Sequence, residues 1–250
     1  MKTIYLKTKN FLKKSGVNMT LSSKYDQFYK TDGAAHAISD YPIRKWARNR
    51  LEAVVAVAGS GESIMDIGCG DGSLLYQYRN RYSHLIGLEY SAERLRQAEA
   101  NLAGLKFTAL QGSAEDIAQL ADNSIDRIIT ADVIEHIPDV YAASREMFRV
   151  LKPGGCLVIN TPNIAFIKKR LVLALGRFPS TSQPNEGLGS DVLFDGGHLH
   201  YFTYRSLRLL LERAGFQMVR PMGFGRFGIF HRLWPSLTSG GVQWVAKKPE

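Results

Sequence analysis

Residues 64–72 combine an apolar run with three alternating glycines and read IMDIGCGDG. This pattern predicts a buried strand that passes through a tight turn into a helix. Such a turn brings backbone N–H groups and a helix N-terminus close to a ligand, because glycine has no Cβ atom in the way. A dinucleotide-binding turn has the spacing G-x-G-x-x-G, but Ser73 stands where its third glycine belongs and Gly72 comes early. The turn therefore predicts a nucleotide-type ligand without deciding which one.

A carboxylate ends the next apolar run, where residues 85–89 read LIGLE. Glu89 follows the first glycine of the turn by about 20 residues, the distance at which nucleotide-binding folds place an acid on the ribose hydroxyls. A carboxylate suits this role because it accepts two hydrogen bonds at once. The alternative is a solvated acid at a strand end. It is less favoured, because Glu89 directly terminates the apolar run at the expected distance.

Strand-like and helix-like segments alternate along the chain. Ser91 is a predicted N-cap, and Pro138 lies near the first turn of a later helix. Alternating β and α units predict a doubly wound α/β fold, with a mostly parallel sheet and helices on both faces. Further strands are predicted at residues 107–110, 124–130 and 156–160, and helices at 44–58, 91–102, 138–150, 164–178 and 206–214, the last closed by Gly215.

The pattern D-x-G-x-G-x-G begins at Asp66, and LKPGG follows at residues 151–155, ahead of the strand at 156–160. Their order and spacing resemble the class I S-adenosylmethionine-dependent methyltransferases, closely over residues 63–163 and more loosely to residue 250. The resemblance implies methyltransferase activity with S-adenosylmethionine as cofactor. It also implies a seven-stranded Rossmann-like sheet with closing strands at 216–220 and 242–246 and an antiparallel last strand.

The resemblance assigns roles at the predicted cofactor site. Asp66 orients the turn and the methionine ammonium, Gly68 and Gly70 admit the methionine moiety, and Glu89 binds the ribose. Many family members contact the adenine amino group with an aspartate, where this chain has Ser113, whose hydroxyl also accepts a hydrogen bond. The full set of predicted cofactor-binding residues is Asp66, Gly68, Cys69, Gly70, Glu89, Tyr90, Ser113, Ala114 and Asp132.

Acidic and imidazole side chains follow the fourth predicted strand. Asp132, Glu135 and His136 stand at i, i+3 and i+4, a spacing that brings them onto one helical face. With His198 from a later segment, they are candidate ligands of a divalent cation. The ubiquinone-biosynthesis O-methyltransferases and the small-RNA 3′-end methyltransferases have a similar Glu-x-x-Glu-His metal site. Asp132 is one methylene shorter than the first glutamate of that motif, so the metal is the less favoured interpretation.

The favoured interpretation of the same residues needs no metal. His136 or His198 is then the general base for an acceptor hydroxyl, because imidazole gains and loses a proton near neutral pH. Glu135 is the third catalytic candidate. Its alternative role is to cap and hydrogen-bond the turn, as in metal-free small-molecule methyltransferases that this segment also resembles.

Composition sets the class of protein and the predicted division of the chain. The 250 residues are 45% hydrophobic and 22% charged, as in globular proteins. Cys69 and Cys156 are expected as buried thiols rather than as a disulfide. Five lysines and no acid precede Met19, a second candidate start, so +4 of the +9 net charge lies beyond them. The predicted parts are a basic tail at 1–18, cap helices at 19–58, a cofactor-binding core at 59–163, a substrate lid at 164–200 and closing elements of the same domain at 201–250.

The predicted function is transfer of a methyl group to a small molecule, most directly to a hydroxyl. An RNA 3′-end methyltransferase is less favoured because the charge beyond the tail is modest. The segments TPN at 161–163 and HLHYFT at 198–203 also resemble the MetW group of methionine-biosynthesis proteins, which keeps open a protein of methyltransferase fold that binds a partner enzyme.

Residues 164–178 place apolar side chains at helical spacing among basic ones. A lid helix packed on the domain is favoured over peripheral membrane contact through this segment. The sequence shows no signal peptide and no membrane span, so a cytoplasmic location is expected, and the oligomeric state stays open.

Overall fold

The computed structural model describes residues 20–30, 38–42, 44–182, 186–188, 192–225 and 228–250. The predicted tail at 1–18 lies outside these residues. Seven strands form one sheet: β1 Gly61–Ile67, β2 Tyr82–Glu89, β3 Phe107–Gln111, β4 Ile125–Ala131, β5 Leu151–Pro162, β6 Gln217–Met222 and β7 Gly241–Lys247. The helices of the described residues are α1 Leu21–Lys30, α2 Arg50–Val55, α3 Ser73–Tyr76, α4 Ala92–Asn101, α5 Val140–Val150, α6 Ile167–Ala174, α7 Tyr204–Arg213, α8 Ile229–Leu233 and α9 Pro235–Thr238, with 3-10 turns at Ile134–His136 and Phe194–Gly197.

The strand order is β3-β2-β1-β4-β5-β7-β6. β7 runs antiparallel to both of its neighbours, and the other pairings in the sheet are parallel. The predicted seven-stranded, doubly wound fold with an antiparallel last strand is therefore confirmed. The closing strands lie where they were predicted, each within two residues.

Buried apolar side chains cover both faces of the sheet because neighbouring residues of a strand point to opposite sides. In β1, Met65 joins the cluster that packs against α5 and α7, whereas Ile64 joins the cluster that packs against α2 and α4. Cys69 and Cys156 are buried free thiols, as predicted.

The order of the sheet reverses between β1 and β4, because the connections from β1 lead toward β3 and those from β4 lead toward β6. Open α/β sheets bind ligands at such a switch point, beyond the carboxyl ends of the strands. The glycine turn follows β1, Glu89 ends β2, and Asp132 follows β4. These three segments therefore lie at the edge of the sheet where a ligand is expected.

Two helices are shorter than their sequence patterns. α2 begins at Arg50 rather than Arg44, because the Asn49 side chain accepts the N–H of Glu52 and fixes the first turn. α6 covers Ile167–Ala174 rather than 164–178, and none of its residues is buried. The expectation that this helix packs on the domain as a lid is therefore wrong for its apolar side chains: Leu171 and Leu173 are 59% and 62% exposed.

The remaining helices match the predictions more closely. Ser91 caps α4 by accepting the N–H of Arg94, as predicted. α5 begins two residues after Pro138, because Asp139 is its N-cap, and α7 begins at Tyr204 behind the N-cap Thr203. None of the helices in the described part of the chain has the length and apolar character that crossing a bilayer requires.

Packing of α7 on the sheet gives a test of the fold. Leu207 is 0% exposed, whereas Leu209 of the same helix is 44% exposed. We expect Leu207→Ala to lower the free energy of unfolding by about 2–5 kcal/mol, because it leaves a cavity in a closed core. Leu209→Ala, the matched control, should cost less than about 1 kcal/mol. Urea unfolding measures both values, and equal losses for the two variants would contradict this packing.

Candidate active site

A cavity of about 480 Å³ lies beyond the carboxyl ends of β1, β2 and β4. It extends from the glycine turn to the segment that contains His198. Helix α1 contributes to the wall through Leu21 and Tyr25. The other lining residues include Arg50, Gly68, Gly70, Glu89, Tyr90, Arg94, Ser113, Ala114, Asp132, His136, Ile137, Pro138, Ser182, Gly196 and His198.

Two glycines keep one wall of the cavity free of side chains. Gly68 and Gly70 have φ angles of +74° and +55°, which favour glycine. A Cβ atom on Gly68 would lie 2.3 Å from Val133 Cγ2, and one on Gly70 would lie 2.6 Å from Arg94 Nη2. The conformation therefore favours glycine at both positions, and Val133 also excludes a side chain at Gly68, whereas the long side chain of Arg94 could move away from one at Gly70.

The carboxylate of Glu89 connects this turn to the next one. Its Oε2 accepts the N–H of Gly70 at 2.9 Å, and its Oε1 accepts the N–H of Ser91 at 2.9 Å. A carboxylate oxygen accepts more than one hydrogen bond, so both oxygens keep capacity for a ligand. Glu89 thus lines the cavity in a fixed orientation.

Asp66 and Cys69 are buried and are not among the lining residues of the cavity. Burial raises the pKa of Asp66 well above its ordinary value, and the negative charges of Glu89 and Asp71 raise it further. Acidic groups that repel one another in this way favour a ligand with positive charge. S-adenosylmethionine carries an ammonium and a sulfonium. The end of the cavity beside the glycine turn and Glu89, the cofactor half, therefore fits it.

The other predicted cofactor residues line the same half of the cavity. Tyr90, Ser113 and Ala114 lie along its wall. The Ser113 hydroxyl donates to Glu115 Oε2 at 2.8 Å and accepts the N–H of Glu115 at 3.2 Å. Its proton is therefore used within the loop, and the hydroxyl offers a ligand one further lone pair.

Asp132 does not join Glu135 and His136, with which the i, i+3, i+4 spacing grouped it. Its φ is +55°, and the 3-10 turn begins only at Ile134, so Asp132, Glu135 and His136 do not share a helical face. Asp132 instead pairs with Arg50, with 2.6 Å between Oδ2 and Nε. The expectation that Asp132 joins the metal candidates is therefore wrong, whereas it does line the cofactor half of the cavity.

Glu135, His136 and His198 do come together. One ligand atom from each lies within 4.8 Å of the others, and the two imidazole rings are 4.7 Å apart at an interplanar angle of 75°. Both histidines line the cavity, whereas Glu135 is buried behind them. Glu135 Oε2 accepts the Thr161 hydroxyl at 2.9 Å, and Oε1 has no hydrogen-bond partner among the described residues.

Burial determines the charge of this cluster. It raises the pKa of Glu135 to about 8, with a further contribution from the charge of Asp132. It lowers the pKa of His136 to about 4, and the neighbouring His198 lowers it further. Burial also lowers the pKa of His198, although Asp195 opposes this effect. At neutral pH the cluster therefore carries a proton on Glu135 and neutral imidazoles.

Two side chains of this site were not found from the sequence. Tyr25 contacts His136, with 3.2 Å between the hydroxyl and Nδ1. Arg50 brings a positive charge to the cavity wall beside Asp132. Tyr25 was assigned only to a cap region and Arg50 only to a helix. No motif surrounds either residue, so the sequence offers no signal for their roles.

Comparisons with known proteins agree with this geometry. Residues 65–159 match the family model described as a methyltransferase domain. The chain is 30% identical over 105 residues to a ubiquinone biosynthesis O-methyltransferase of Aliivibrio fischeri, covering 41% of this chain and 45% of that protein. It is 30% identical over 126 residues to the enzyme of the same name from Aeromonas salmonicida, covering 49% and 53%. The chain spans about half the length of the curated relatives it matches first.

Two solved structures show the same fold. An S-adenosylmethionine-dependent methyltransferase from Mesorhizobium loti has a TM-score of 0.59 and 20% identity, covering 79% of this chain and 95% of that one. A cyclase named SpnF has a TM-score of 0.61 and 18% identity, covering 94% and 99%. The second name shows that this fold does not by itself define the reaction.

Residues 65–159 are similar to the S-adenosylmethionine-dependent methyltransferase family, and the strand order and the glycine turn agree with that similarity. Members of this family use S-adenosylmethionine as methyl donor. The glycine turn, the acidic residues beneath it and Glu89 are the features of this chain that fit that cofactor.

The pH dependence of stability tests the buried cluster. The folded pKa of Glu135 is about 8 against an ordinary 4.5, so its contribution to stability is fully present below pH 4.5 and is lost as the pH rises through 8. His136 has the opposite sign: its contribution is present above pH 6.5 and is lost as the pH falls through 4. Of these two groups, only Glu135 lowers the stability as the pH rises from 6.5 through 8.

We expect the free energy of unfolding to fall over that range and Glu135→Gln to make the fall smaller, because glutamine does not ionise. Urea unfolding in the presence of a chelator measures the slope. Glu99→Gln, on the exposed side of α4, is the control and should leave the slope unchanged. A Glu135→Gln slope equal to that of the wild type would contradict the buried, protonated state.

Proposed function

We propose that this protein transfers the methyl group of S-adenosylmethionine to a hydroxyl of a small molecule. One observation supports this most: a single cavity joins the glycine turn and Glu89 at one end to His136 and His198 at the other. A cofactor half and a base half that face one space meet the geometric requirement for direct transfer. Positioning of the two reactants supplies much of the acceleration in such a reaction.

Each residue of the cofactor half is assigned to one part of the cofactor. The backbone of Gly68 and Gly70 faces the methionine moiety, and Arg50 is a cationic partner for its carboxylate. Glu89 accepts the ribose hydroxyls, and Ser113 and Ala114 lie along the wall for the base. Asp66 lies beneath the turn, where a cationic ligand would lower its raised pKa. When bound, the cofactor supplies an activated methyl group on a positively charged sulfur.

His198 and His136 supply the base half. Both imidazoles are neutral at pH 7 because burial lowers their pKa values, so each has a lone pair for the acceptor proton. In the proposed step the new O–CH₃ bond forms as the S–CH₃ bond breaks, and the hydroxyl proton passes to an imidazole nitrogen. His198 is the stronger candidate because the nearby Asp195 stabilises its protonated form.

A divalent cation on Glu135, His136 and His198 is the alternative for this half of the cavity. It is supported by the close approach of the three ligand atoms and by the unpartnered Oε1 of the buried Glu135. Such an ion would lower the pKa of a bound hydroxyl directly. We favour the metal-free base, because Asp132 is paired with Arg50 and leaves the cluster one carboxylate short of the resembled motif.

The exposed apolar side chains of α6 support two further hypotheses. They fit peripheral membrane contact or a partner protein, and the lysines and arginines in the segment favour an anionic membrane surface. The cavity favours catalysis rather than a purely partner-binding role, because its volume lies in the range of small-molecule binding sites. An RNA acceptor is less favoured, because only +4 of the net charge lies beyond the N-terminal lysines.

Glu89 provides the test of the cofactor half. We expect Glu89→Gln to weaken S-adenosylmethionine binding by about 10-fold or more, because a charged hydrogen-bond acceptor is worth about 1.5–3 kcal/mol. Isothermal titration calorimetry with S-adenosylmethionine and S-adenosylhomocysteine measures the affinities. The control is Glu93→Gln, whose carboxylate pairs with Arg96 on the outside of α4. Unchanged affinity in Glu89→Gln would contradict the proposed ribose contact.

The two histidines provide the test of the base half. Methyl-labelled S-adenosylmethionine, incubated with fractionated metabolite extracts, first identifies an acceptor for the wild type. We then expect His198→Ala to lower turnover by about 100-fold or more, the usual contribution of a general base, with cofactor affinity nearly unchanged. His136→Ala should lower turnover in the same direction. Undiminished turnover in both variants would contradict the assignment, and turnover abolished by a chelator alone would support the metal instead.

A further inference from the structure

The turn ahead of His198 carries a buried carboxylate in an unusual conformation. Asp195 is 0% exposed and has φ +44° and ψ +40°, in the left-handed region that few residues other than glycine adopt. Such a conformation persists only where surrounding contacts hold it. Gly196 and Gly197 continue the turn and also have positive φ angles.

Hydroxyl and backbone donors surround this carboxylate. Oδ1 accepts the hydroxyls of Ser180 and Ser182, the latter at 2.7 Å. Oδ2 accepts the Tyr201 hydroxyl at 3.0 Å and the N–H of Thr181 at 3.3 Å. Burial raises the pKa of Asp195, but these hydrogen bonds outweigh burial and bring it below the ordinary value. Asp195 is therefore an ionised carboxylate that only accepts hydrogen bonds.

Thr181 connects this carboxylate to His198. The Thr181 hydroxyl donates to Asp195 Oδ2 at 3.5 Å, and its oxygen lies 2.6 Å from His198 Nδ1. The direct distance from His198 Nδ1 to Asp195 Oδ2 is 3.9 Å, too long for a hydrogen bond. Thr181 has one hydroxyl proton. When this proton is donated to the charged Asp195, the Thr181 oxygen accepts the proton on Nδ1, and the free lone pair of His198 is on Nε2.

The same turn fixes the second histidine. The carbonyl of Gly197 lies 3.1 Å from His136 Nδ1. A carbonyl only accepts, so this contact favours a proton on Nδ1 of His136, and the Tyr25 hydroxyl 3.2 Å from the same nitrogen is then an acceptor as well. The same short segment therefore contacts Nδ1 of both rings, through Asp195 and Thr181 for His198 and through a backbone carbonyl for His136.

We infer that Asp195 is a positioning residue, which acts through Thr181 to hold His198 in the tautomer whose Nε2 accepts the acceptor-substrate proton. This inference rests on the proposed function, since it gives that base its orientation. When Nε2 takes up the proton, Nδ1–H stays directed at Thr181, and the Asp195 charge stabilises the imidazolium. A carboxylate that orients an imidazole in this way has a large effect on catalysis when it is changed to an amide, which favours the wrong tautomer.

The tautomer is directly measurable in the full chain. ¹⁵N NMR of histidine-labelled, chelator-treated protein separates protonated from unprotonated ring nitrogens, and His198→Gln identifies the signals of His198 by their loss. In the wild type we expect Nδ1 to be protonated and Nε2 to be unprotonated. Asp195→Asn should convert His198 to the other tautomer or to a mixture, because the new amide donates toward Thr181.

Substitutions around Asp195 separate positioning from a general loss of structure. Thr181→Val removes the connecting hydroxyl at similar volume and should give the same loss of the Nδ1–H tautomer, whereas Thr181→Ser should retain it. Tyr201→Phe removes a different hydrogen bond to the same carboxylate oxygen and should leave the His198 signals unchanged. If Asp195→Asn does not fold, the His198 tautomers of Thr181→Val and Thr181→Ser still test the inference without it.

Wild-type His198 signals in a folded Asp195→Asn or in Thr181→Val would overturn the inference, as would a wild type protonated on Nε2. The measurement needs neither cofactor nor acceptor. A protein that fails to transfer methyl groups would therefore contradict the proposed function without altering this result. With an acceptor in hand, Asp195→Asn should lower kcat by about 10-fold or more while the Kd for S-adenosylmethionine stays within about twofold, the split expected of a group that acts only through the base.

Discussion

The hydrogen bonds that Glu89 accepts from Gly70 and Ser91 are the contacts on which the cofactor half of the cavity depends. They join the turn after β1 to the turn after β2 through one carboxylate. The two backbone donors come from different loops, and the two oxygens of one carboxylate fix the distance between them. A ligand that spans both strand ends therefore meets loops at a fixed spacing. Glu89 both holds these loops together and lines the site.

In the half of the cavity that contains the proposed base, burial determines the protonation state of the side chains. Burial leaves Glu135 protonated and both histidines neutral, so the residues around the acceptor carry little net charge at pH 7. The cofactor half, by contrast, contains charged groups of both signs, among them Glu89 and the Arg50–Asp132 ion pair. In the proposed reaction, a cationic methyl donor binds at that end and a neutral proton acceptor lies at the other.

The sheet was predictable because its signals are local. Alternating apolar runs, the glycines of residues 68–72 and the cap at Ser91 each depend on a few neighbouring residues. Helix ends were less predictable: Asn49 shortens α2, although the apolar spacing before it continues a helical pattern. The exposure of α6 was not predictable, because an apolar stripe has the same spacing whether it is covered or not.

In the site, too, locally encoded residues were predictable and residues positioned by the fold were not. Glu89 follows from its place at a strand end, whereas Asp132 was misplaced because i, i+3, i+4 spacing groups side chains only in a helix, and its φ is +55°. The pairing of His136 with His198 was anticipated from a resemblance, not from spacing. Tyr25 and Arg50 lie far along the chain from the groups they contact, and only the folded structure brings them together.

The turn at residues 195–198 has a consequence for comparing genomes. Its sequence Asp-Gly-Gly-His places the buried carboxylate of Asp195 and the proposed base His198 within four positions, with two glycines between them. A search for this tetrapeptide downstream of a glycine-rich nucleotide turn would select chains with the residues for the same turn. Such a filter sorts proteins of one architecture by a local feature rather than by overall similarity.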